Sequence, residues 1–323
     1  MARFDFYREI SHEMSCLEEE LLASVKTKET FLSEPLERTI RAGGKRIRPA
    51  LVYLSARFGD YDYERIKPLA VAVELVHTAT LIHDDIVDDS PLRRGTSTVQ
   101  AAIGKDAAVY AGDYVLARAF KMLVDHGDFD ILKSVSSVLY RVCEGEVRQK
   151  REAFDLTISF LDYARRIRKK TALLFAISCE LGARGAKADP HTVSSLKKYG
   201  MMLGMAFQVM DDILDLTEDE NRSGKPKGND IKEGVITLPL LYALNNKSTE
   251  RELRELLSDK NRIDESTINT IIKIVKESGG IEYARHIAGR YVKKSKEQLS
   301  VLEDIPARSS LMLLADYVVE RTG

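Results

Sequence analysis

Residues 63–89 read YERIKPLAVAVELVHTATLIHDDIVDD. Leu69, Ala70, Val71, Ala72, Val73, Leu75, Val76, Ala79, Leu81 and Ile82 cover nearly every side of a 3.6-residue helix. A helix that is apolar all round belongs in the interior of a helical protein. The stretch therefore predicts one central helix from Tyr63 to Val87. It should end around Ser90-Pro91, because a proline disfavours helical backbone in the residue before it. Its end carries His83-Asp84-Asp85-Ile86-Val87-Asp88-Asp89. Asp84 and Asp88 fall one turn apart on one face, and Asp85 and Asp89 on the adjoining stripe.

The pattern returns once. Tyr199 to Leu216 predicts a second helix of the same kind, ending in Asp211-Asp212-Ile213-Leu214-Asp215, with Asp211 standing 127 residues after Asp84. Between Pro91 and Pro190 there is no proline, and apolar residues recur at helical spacing through Tyr114–Val124, Ile131–Arg148 and Lys169–Gly182. No alternating β-branched runs bounded by turns occur, so no sheet is expected. Thr217 to Val235 reads as a polar loop, after which Thr237 should cap a helix that tolerates Pro239 in its first turn. The remainder is charged amphipathic helix. With no internal repeat or linker, the expected architecture is all-α: a single large helical bundle around a central cavity, with residues 1–323 forming one domain.

Composition narrows the function. Lys plus Arg total 49 and Asp plus Glu 50, a net charge of −1, which excludes the basic excess of a general nucleic-acid binder. Cys16, Cys143 and Cys179 lack metal or disulfide spacing and fit a reducing compartment. The first residues are charged throughout, and no run of about 18 uninterrupted apolar residues occurs. A soluble, cytoplasmic protein is the expectation, with room for peripheral membrane contact.

Carboxylates clustered at helix spacing repel one another, and the negative end of the helix dipole worsens the placement. One cluster reads as a solvated surface; two, each ending a core helix, call for a cation. Oxygen ligands without His or Cys suit a hard ion such as Mg²⁺, shared with a substrate phosphate. The expectation is that the two helix ends face each other across a cavity. Bases accompany them: Gly43-Gly44-Lys45-Arg46-Ile47-Arg48-Pro49, Arg93-Arg94-Gly95, Lys169-Lys170-Thr171, and Lys225 and Lys227 in the polar loop. Each alone reads as a solvated face. Together they equip the chain for a diphosphate–metal complex.

In these motifs, over roughly Ala42 to Leu241, the sequence resembles the trans-isoprenyl diphosphate synthases, particularly the long-chain polyprenyl branch. The resemblance implies the isoprenoid synthase fold. It also implies an enzyme that condenses isopentenyl diphosphate onto an allylic diphosphate with about three Mg²⁺ ions. By the same resemblance, Asp84, Asp88, Asp211 and Asp215 are metal ligands. Lys45, Arg48, His77 and Arg94 bind isopentenyl diphosphate, and Arg93, Lys170, Thr171, Gln208 and Lys225 bind the allylic diphosphate. Asp85 and Asp212 complete the catalytic set. Gln208 also stands three residues before Asp211, on the same helix face. His77, alone on an apolar helix, would otherwise be read as a core residue. One departure is visible: many members carry a lysine after the Glu-Gly of this region, whereas Val235 follows Glu233-Gly234 here. Lys232 and Lys227 are the candidate substitutes.

Counting back in fours from Asp84 gives Thr80, Val76 and Ala72, with Ala79 beside Thr80, in turns about 5.4 Å apart. Short-chain members carry aromatics near the top of this ladder; Ala79 and Thr80 are small. A product beyond four isoprene units is expected, with Leu132 and Leu139 as candidate floors. The resemblance further implies a homodimer, with a second regulatory subunit as an alternative assembly. Two other readings are weaker. A terpene cyclase would place Ser or Thr where Asp215 stands, and would not need the Gly-Gly-Lys-Arg segment. A His-Asp phosphohydrolase would place its first His further upstream than His77 and His83.

Overall fold

The computed structural model describes residues 5–217, 227–258 and 263–321. A 3₁₀ turn, Asp5–Ile10, leads into α1 (Ser11–Val25), α2 (Thr30–Arg41), α3 (Ile47–Ala56) and α4 (Tyr63–Val87). A short hairpin follows, β1 (Leu92–Arg93) and β2 (Thr96–Ser97), then α5 (Val99–Ile103), α6 (Lys105–His126), α7 (Phe129–Arg151) and α8 (Phe160–Ile167). A π-helical turn, Arg168–Ala172, joins α8 to α9 (Leu173–Gly185). Then come α10 (Pro190–Thr217), α11 (Asn229–Lys232), α12 (Leu238–Leu244), α13 (Glu250–Leu257), α14 (Glu265–Glu277), α15 (Gly280–Leu299) and α16 (Pro306–Glu320).

The long central helix has the bounds expected from the sequence. Asp62 starts α4 by accepting a hydrogen bond from the Glu64 amide at 3.0 Å. Its end is a Schellman turn: Ser90 N–H donates to the Asp85 carbonyl at 2.9 Å, Asp89 N–H donates to Ile86, and Asp89 takes the left-handed conformation at φ 51°. Aspartate tolerates that conformation better than most residues with a Cβ.

Four expectations need correction. A sheet exists, though it is only the two-residue hairpin, with Leu92 opposite Ser97 and Arg93 opposite Thr96. Its turn residues Arg94 and Gly95 both have positive φ, 52° and 74°, the twist that a two-residue hairpin favours. The second acid-ended helix starts at Pro190 rather than Tyr199. Lys169-Lys170-Thr171 does not open a helix but lies within the π turn of a nearly continuous helical run. Thr237 takes the N-cap position without capping, since its buried hydroxyl makes no hydrogen bond among the described residues. The polar stretch before it also contains α11.

The chain divides into two compact units. The first comprises residues 1–136, 177–197 and 301–313. In it α4 packs against α3 and α6, burying Leu69, Ala72, Leu75 and Val76. Truncating such a leucine to alanine costs about 2–5 kcal/mol. α4 is the one helix among the described residues long and apolar enough to cross a membrane. Its packing between α3 and α6 accounts for that composition, and it carries a buried carboxylate, Glu74. The second unit comprises residues 137–176, 198–300 and 314–323. There α12 packs against α15, α13 and α14, and buries Leu240, Leu241 and Ala284.

Candidate active site

The first carboxylate cluster closes α4. Asp84 is half-buried and Asp88 exposed, whereas Asp85 is buried. The Arg93 guanidinium grips Asp85 in a fork, Nε to Oδ1 at 2.9 Å and Oδ2 at 3.1 Å, with Nη2 at 2.8 Å from Oδ1. Gln100 Nε2 donates to the Asp85 carbonyl at 2.8 Å and to that of Ser90 at 3.0 Å. Asp89 pairs with Lys105 at 2.9 Å, and this bond holds the Asp89 carboxyl below its usual range. Asp85 and Asp89 bind protein cations, and the Asp84–Asp88 stripe adjoins them on the helix surface.

The glycine-rich basic loop meets the hairpin beside this cluster. Gly43 is left-handed at φ 70° and Gly44 lies against the Arg94 guanidinium: a Cβ at Gly44 would come 2.6 Å from Nη1. Tyr7 donates to the Lys45 carbonyl, anchoring the loop to the N-terminal turn. Arg46 is turned away, buried, and φ 46°. It binds Glu18 through Nε at 2.7 Å and Nη2 at 3.1 Å, Glu74 through Nη1 at 2.8 Å, and the Ile40 carbonyl at 2.7 Å. Breaking such a buried network by removing one partner costs about 3–5 kcal/mol. A pocket in the first unit is lined by Arg46, Glu74, His77, Thr78, Arg93 and Arg94 among others. Burial and the positive charges of Arg48, Arg94, Arg93 and Arg46 hold the His77 imidazole well below its ordinary pKa. It is a neutral donor in a pocket whose potential suits an anion. Lys45 and Arg48 are half-buried.

The second cluster closes α10, in the second unit. Asp212 is buried and accepts from Tyr163 Oη at 2.6 Å and Gln208 Nε2 at 2.9 Å. Thr171 Oγ1 donates to the Gln208 side-chain oxygen Oε1, so the π turn is tied to the acid helix through Gln208. A π turn of this kind recurs at functional sites because it re-aims side chains. Lys170 Nζ donates to the buried Gln149 Oε1 at 3.4 Å, and Lys169 binds Glu144 at 3.2 Å. Asp215 accepts from the amides of Asn229 at 3.2 Å and Asp230 at 3.3 Å, at the start of α11. Asp211 binds the buried Arg321 at 2.6 Å, and Arg321 also donates to the Phe207 carbonyl at 2.8 Å and stacks 3.9 Å from the Phe207 ring centre.

Burial raises Asp215 to about 6, and raises Asp212 and Asp230 as well, Asp230 far above the usual carboxylate range. For Asp230 the charges of Asp215 and Asp212 add to the effect, while Lys170 opposes it. This is surplus negative potential built from oxygen donors, and a hard divalent cation fits it. Among the described residues no group of three His, Cys, Asp or Glu side chains converges as a ready-made metal cage. An ion would be held by one or two carboxylates of a cluster together with substrate oxygens, as Mg²⁺ usually is.

Of the expected residues, Asp84, Asp85, Asp88, Lys45, Arg48, His77, Arg93 and Arg94 fall in the first unit, and Lys170, Thr171, Gln208, Asp211, Asp212 and Asp215 in the second. Lys225 lies outside the described residues. Val235 is half-buried and its amide donates to the Asp230 carbonyl at 2.8 Å, while Lys232 is exposed on α11 and Lys227 half-buried. Ala79 and Val76 are buried and Thr80 half-buried. Sequence reasoning missed Glu18 and Glu74, Gln149, Tyr163, Asp230 and Arg321. Glu74 left a signal as the acid inside an otherwise apolar stretch; Arg321 left none.

The sequence matches the polyprenyl synthetase family over residues 29–275. It is 38% identical over 315 residues to heptaprenyl diphosphate synthase component 2 of Bacillus subtilis, covering 98% of this chain and 90% of that protein. It is 38% identical over 299 residues to a short chain isoprenyl diphosphate synthase of Methanothermobacter thermautotrophicus, covering 91% of each. The crystal structure of a polyprenyl synthase from Caulobacter crescentus, complexed with calcium and isoprenyl diphosphate, superposes with a TM-score of 0.93 at 33% identity, covering 98% of this chain and 97% of that one. With two acid-ended core helices and a basic, glycine-bounded pocket in the all-α isoprenoid synthase fold, the chain belongs to the polyprenyl synthetase family.

Proposed function

We propose that this protein is a trans-polyprenyl diphosphate synthase that condenses isopentenyl diphosphate head-to-tail onto an allylic diphosphate. The allylic carbon–oxygen bond breaks and diphosphate leaves. The double bond of isopentenyl diphosphate attacks the allylic carbon, and a proton is lost. The observation that carries this reading is the recurrence of the Asp-Asp-x-x-Asp end on two core helices, each with its middle aspartate locked into protein.

The chain's own groups divide the work. Lys45, Arg48 and Arg94 hold the isopentenyl diphosphate oxygens, with His77 as an uncharged donor among them. Arg93, Lys170, Thr171, Gln208 and Lys225 hold the allylic diphosphate. Asp84, Asp88, Asp211 and Asp215 would hold Mg²⁺, about three ions in all. Bound Mg²⁺ supplies charge neutralisation on the departing diphosphate. Asp85, held by Arg93, and Asp212, held by Tyr163 and Gln208, complete the catalytic set. The apolar side of α4 excludes water from the reacting carbons. We place the reaction in the cytoplasm and treat residues 1–323 as one catalytic domain, in keeping with a family match that runs through both compact units.

The product is read as longer than four isoprene units, because Ala79 and Thr80 leave the ladder below Asp84 without an aromatic stop. Relatives of both long and short product class share this level of identity, so those residues carry the reading. The name component 2 borne by the Bacillus relative supports a second subunit as partner, with a homodimer as the other assembly. The test is incubation of purified protein with radiolabelled isopentenyl diphosphate, farnesyl diphosphate and Mg²⁺, with products sized by chromatography. A Mg²⁺-dependent ladder of long products is expected, and Ala79→Phe should shorten it. Failure to elongate, alone and with candidate second subunits, would sink the reading.

A further inference from the structure

The bases of this near-neutral chain are unevenly spread. From Arg285 to Lys296 the sequence holds Arg285, His286, Arg290, Lys293, Lys294 and Lys296 and no acid; Glu282 and Glu297 bound the run. Lys296 is used internally, bound to Asp316. Arg285, Arg290, Lys293 and Lys294 are exposed on α15, and among the described residues none of them makes an ion pair. Some helical bases elsewhere in the chain are matched one turn away, as Arg251 is with Glu255 at 2.9 Å and Arg184 with Glu180 at 2.9 Å. Among the described residues the four exposed bases of the α15 stripe have no such match.

An apolar edge adjoins the stripe. Tyr283 stacks on Tyr242 with ring centres 4.5 Å apart and touches Phe160 at 5.9 Å. Phe160, at the first turn of α8, is 39% exposed and its neighbour Leu161 is 58% exposed. Counting from Tyr283 in threes and fours along α15 gives Ile287, Arg290 and Lys294 on the same side. Exposed apolar side chains therefore pass, through a rigid aromatic contact, into a row of unpaired cations. All of these residues lie in the second unit.

We propose that this surface, the exposed Phe160–Leu161 edge with Arg290, Lys293 and Lys294 of α15, docks the protein on an anionic lipid bilayer. Each cation near an anionic surface adds to the attraction, and the apolar pair inserts at the headgroup boundary. An acidic protein surface would satisfy the cations. It would not call for an exposed aromatic and leucine at their edge, which is why a bilayer is the occupant favoured here. The product supplies the second argument, and this part rests on the function proposed above. A long polyprenyl diphosphate is a lipid with an anionic head, so a synthase that sits on a membrane releases it where its chain is soluble.

The experiment is co-sedimentation of the full chain, without substrates, with vesicles of phosphatidylcholine alone and of phosphatidylcholine with about a third phosphatidylglycerol. Binding to the anionic vesicles should exceed binding to the neutral ones by at least tenfold, and should fall in high salt. The triple variant Arg290→Glu/Lys293→Glu/Lys294→Glu should weaken it by about a hundredfold. Phe160→Ser/Leu161→Ser should weaken it about tenfold while leaving its salt dependence in place. Unaltered helical circular dichroism and elongation activity in detergent would show that both variants are folded. Equal binding to the two vesicle types, or binding unchanged in the triple variant, would overturn the proposal. So would no binding to either, an outcome that would leave the stripe to an acidic protein. Because no substrate is present, loss of vesicle binding leaves the condensation reading intact, and a failed condensation assay leaves the vesicle result standing.

Discussion

The ends of α4 and α10 carry the same Asp-Asp-x-x-Asp pattern and treat it differently. At α4 the middle aspartate is matched by charge, through the Arg93 fork eight residues further on. At α10 it is matched by neutral donors, Tyr163 and Gln208, in a fully buried setting that raises its pKa. The cation nearest α10's first aspartate comes from Arg321, 110 residues away. One cluster sets its middle aspartate against a local guanidinium. In the other, burial raises Asp212 and Asp215, while hydrogen bonds and the Arg166 charge oppose the rise at Asp212. Identical motifs therefore stand in different electrostatic settings.

If both clusters hold catalytic metal, Asp84→Ala and Asp211→Ala should each lower kcat by about a thousandfold or more, as loss of metal-based charge stabilisation does. A normal rate in either variant would break the equivalence outright. Steady-state kinetics over a Mg²⁺ titration is the measurement.

Protonation sharpens the contrast. Asp215 has its folded-state pKa raised from 3.8 to about 6 by burial. Below about pH 4 it is protonated whether the chain is folded or not. As pH rises towards 6 the unfolded chain ionises first, so the metal-free fold loses stability, by up to about 3 kcal/mol. Asp215→Asn should lack that loss. Its advantage in metal-free thermal unfolding should be near zero at pH 4 and full above pH 6. No pH-dependent difference between the two proteins would remove the burial argument.

The middle aspartates provide the third test. Asp85→Asn leaves Arg93 without its charge partner and should destabilise by about 2 kcal/mol in urea unfolding. Asp212→Asn removes a carboxylate from a site that already disfavours its charge and keeps an acceptor for Tyr163, so its cost should stay under about 1 kcal/mol. The reverse order would mean that the two clusters are balanced alike.

Arg321→Met should cost about 1 kcal/mol in metal-free protein. Saturating Mg²⁺ and diphosphate should narrow the difference, because a metal at Asp211 supplies the missing positive charge.

The sequence made some of this legible and hid the rest for physical reasons. The bounds of α4 could be read because its apolar surround, its Asp62 cap and the Ser90-Pro91 stop agree. The pairing of aspartates one turn apart in each cluster could be read because helix spacing alone sets it. The hairpin could not, since strands of two residues are too short to show alternation; only Arg94-Gly95 hinted at its turn. The π turn that aims Lys170 and Thr171 leaves no periodic trace, because one altered hydrogen-bond register shifts the pattern by a single residue. Residue type and spacing do not separate Arg46 from Arg48 in the basic loop; only the resemblance singled out Arg48. The fold separates them, burying Arg46 among Glu18, Glu74 and the Ile40 carbonyl.

The Asp211–Arg321 contact also sets an order of events during synthesis. When the ribosome has just made the end of α10, that helix carries its aspartates without the guanidinium that will meet Asp211. A further 110 residues must be translated before Arg321 emerges. Any chain that stops short of that position, by premature termination or by clipping, carries an acid cluster with its protein counter-ion missing. Such a chain would hold Asp211 beside its neighbouring carboxylates with no guanidinium against it, so the end of α10 reaches its finished electrostatic setting only with the last residues of α16 and just beyond.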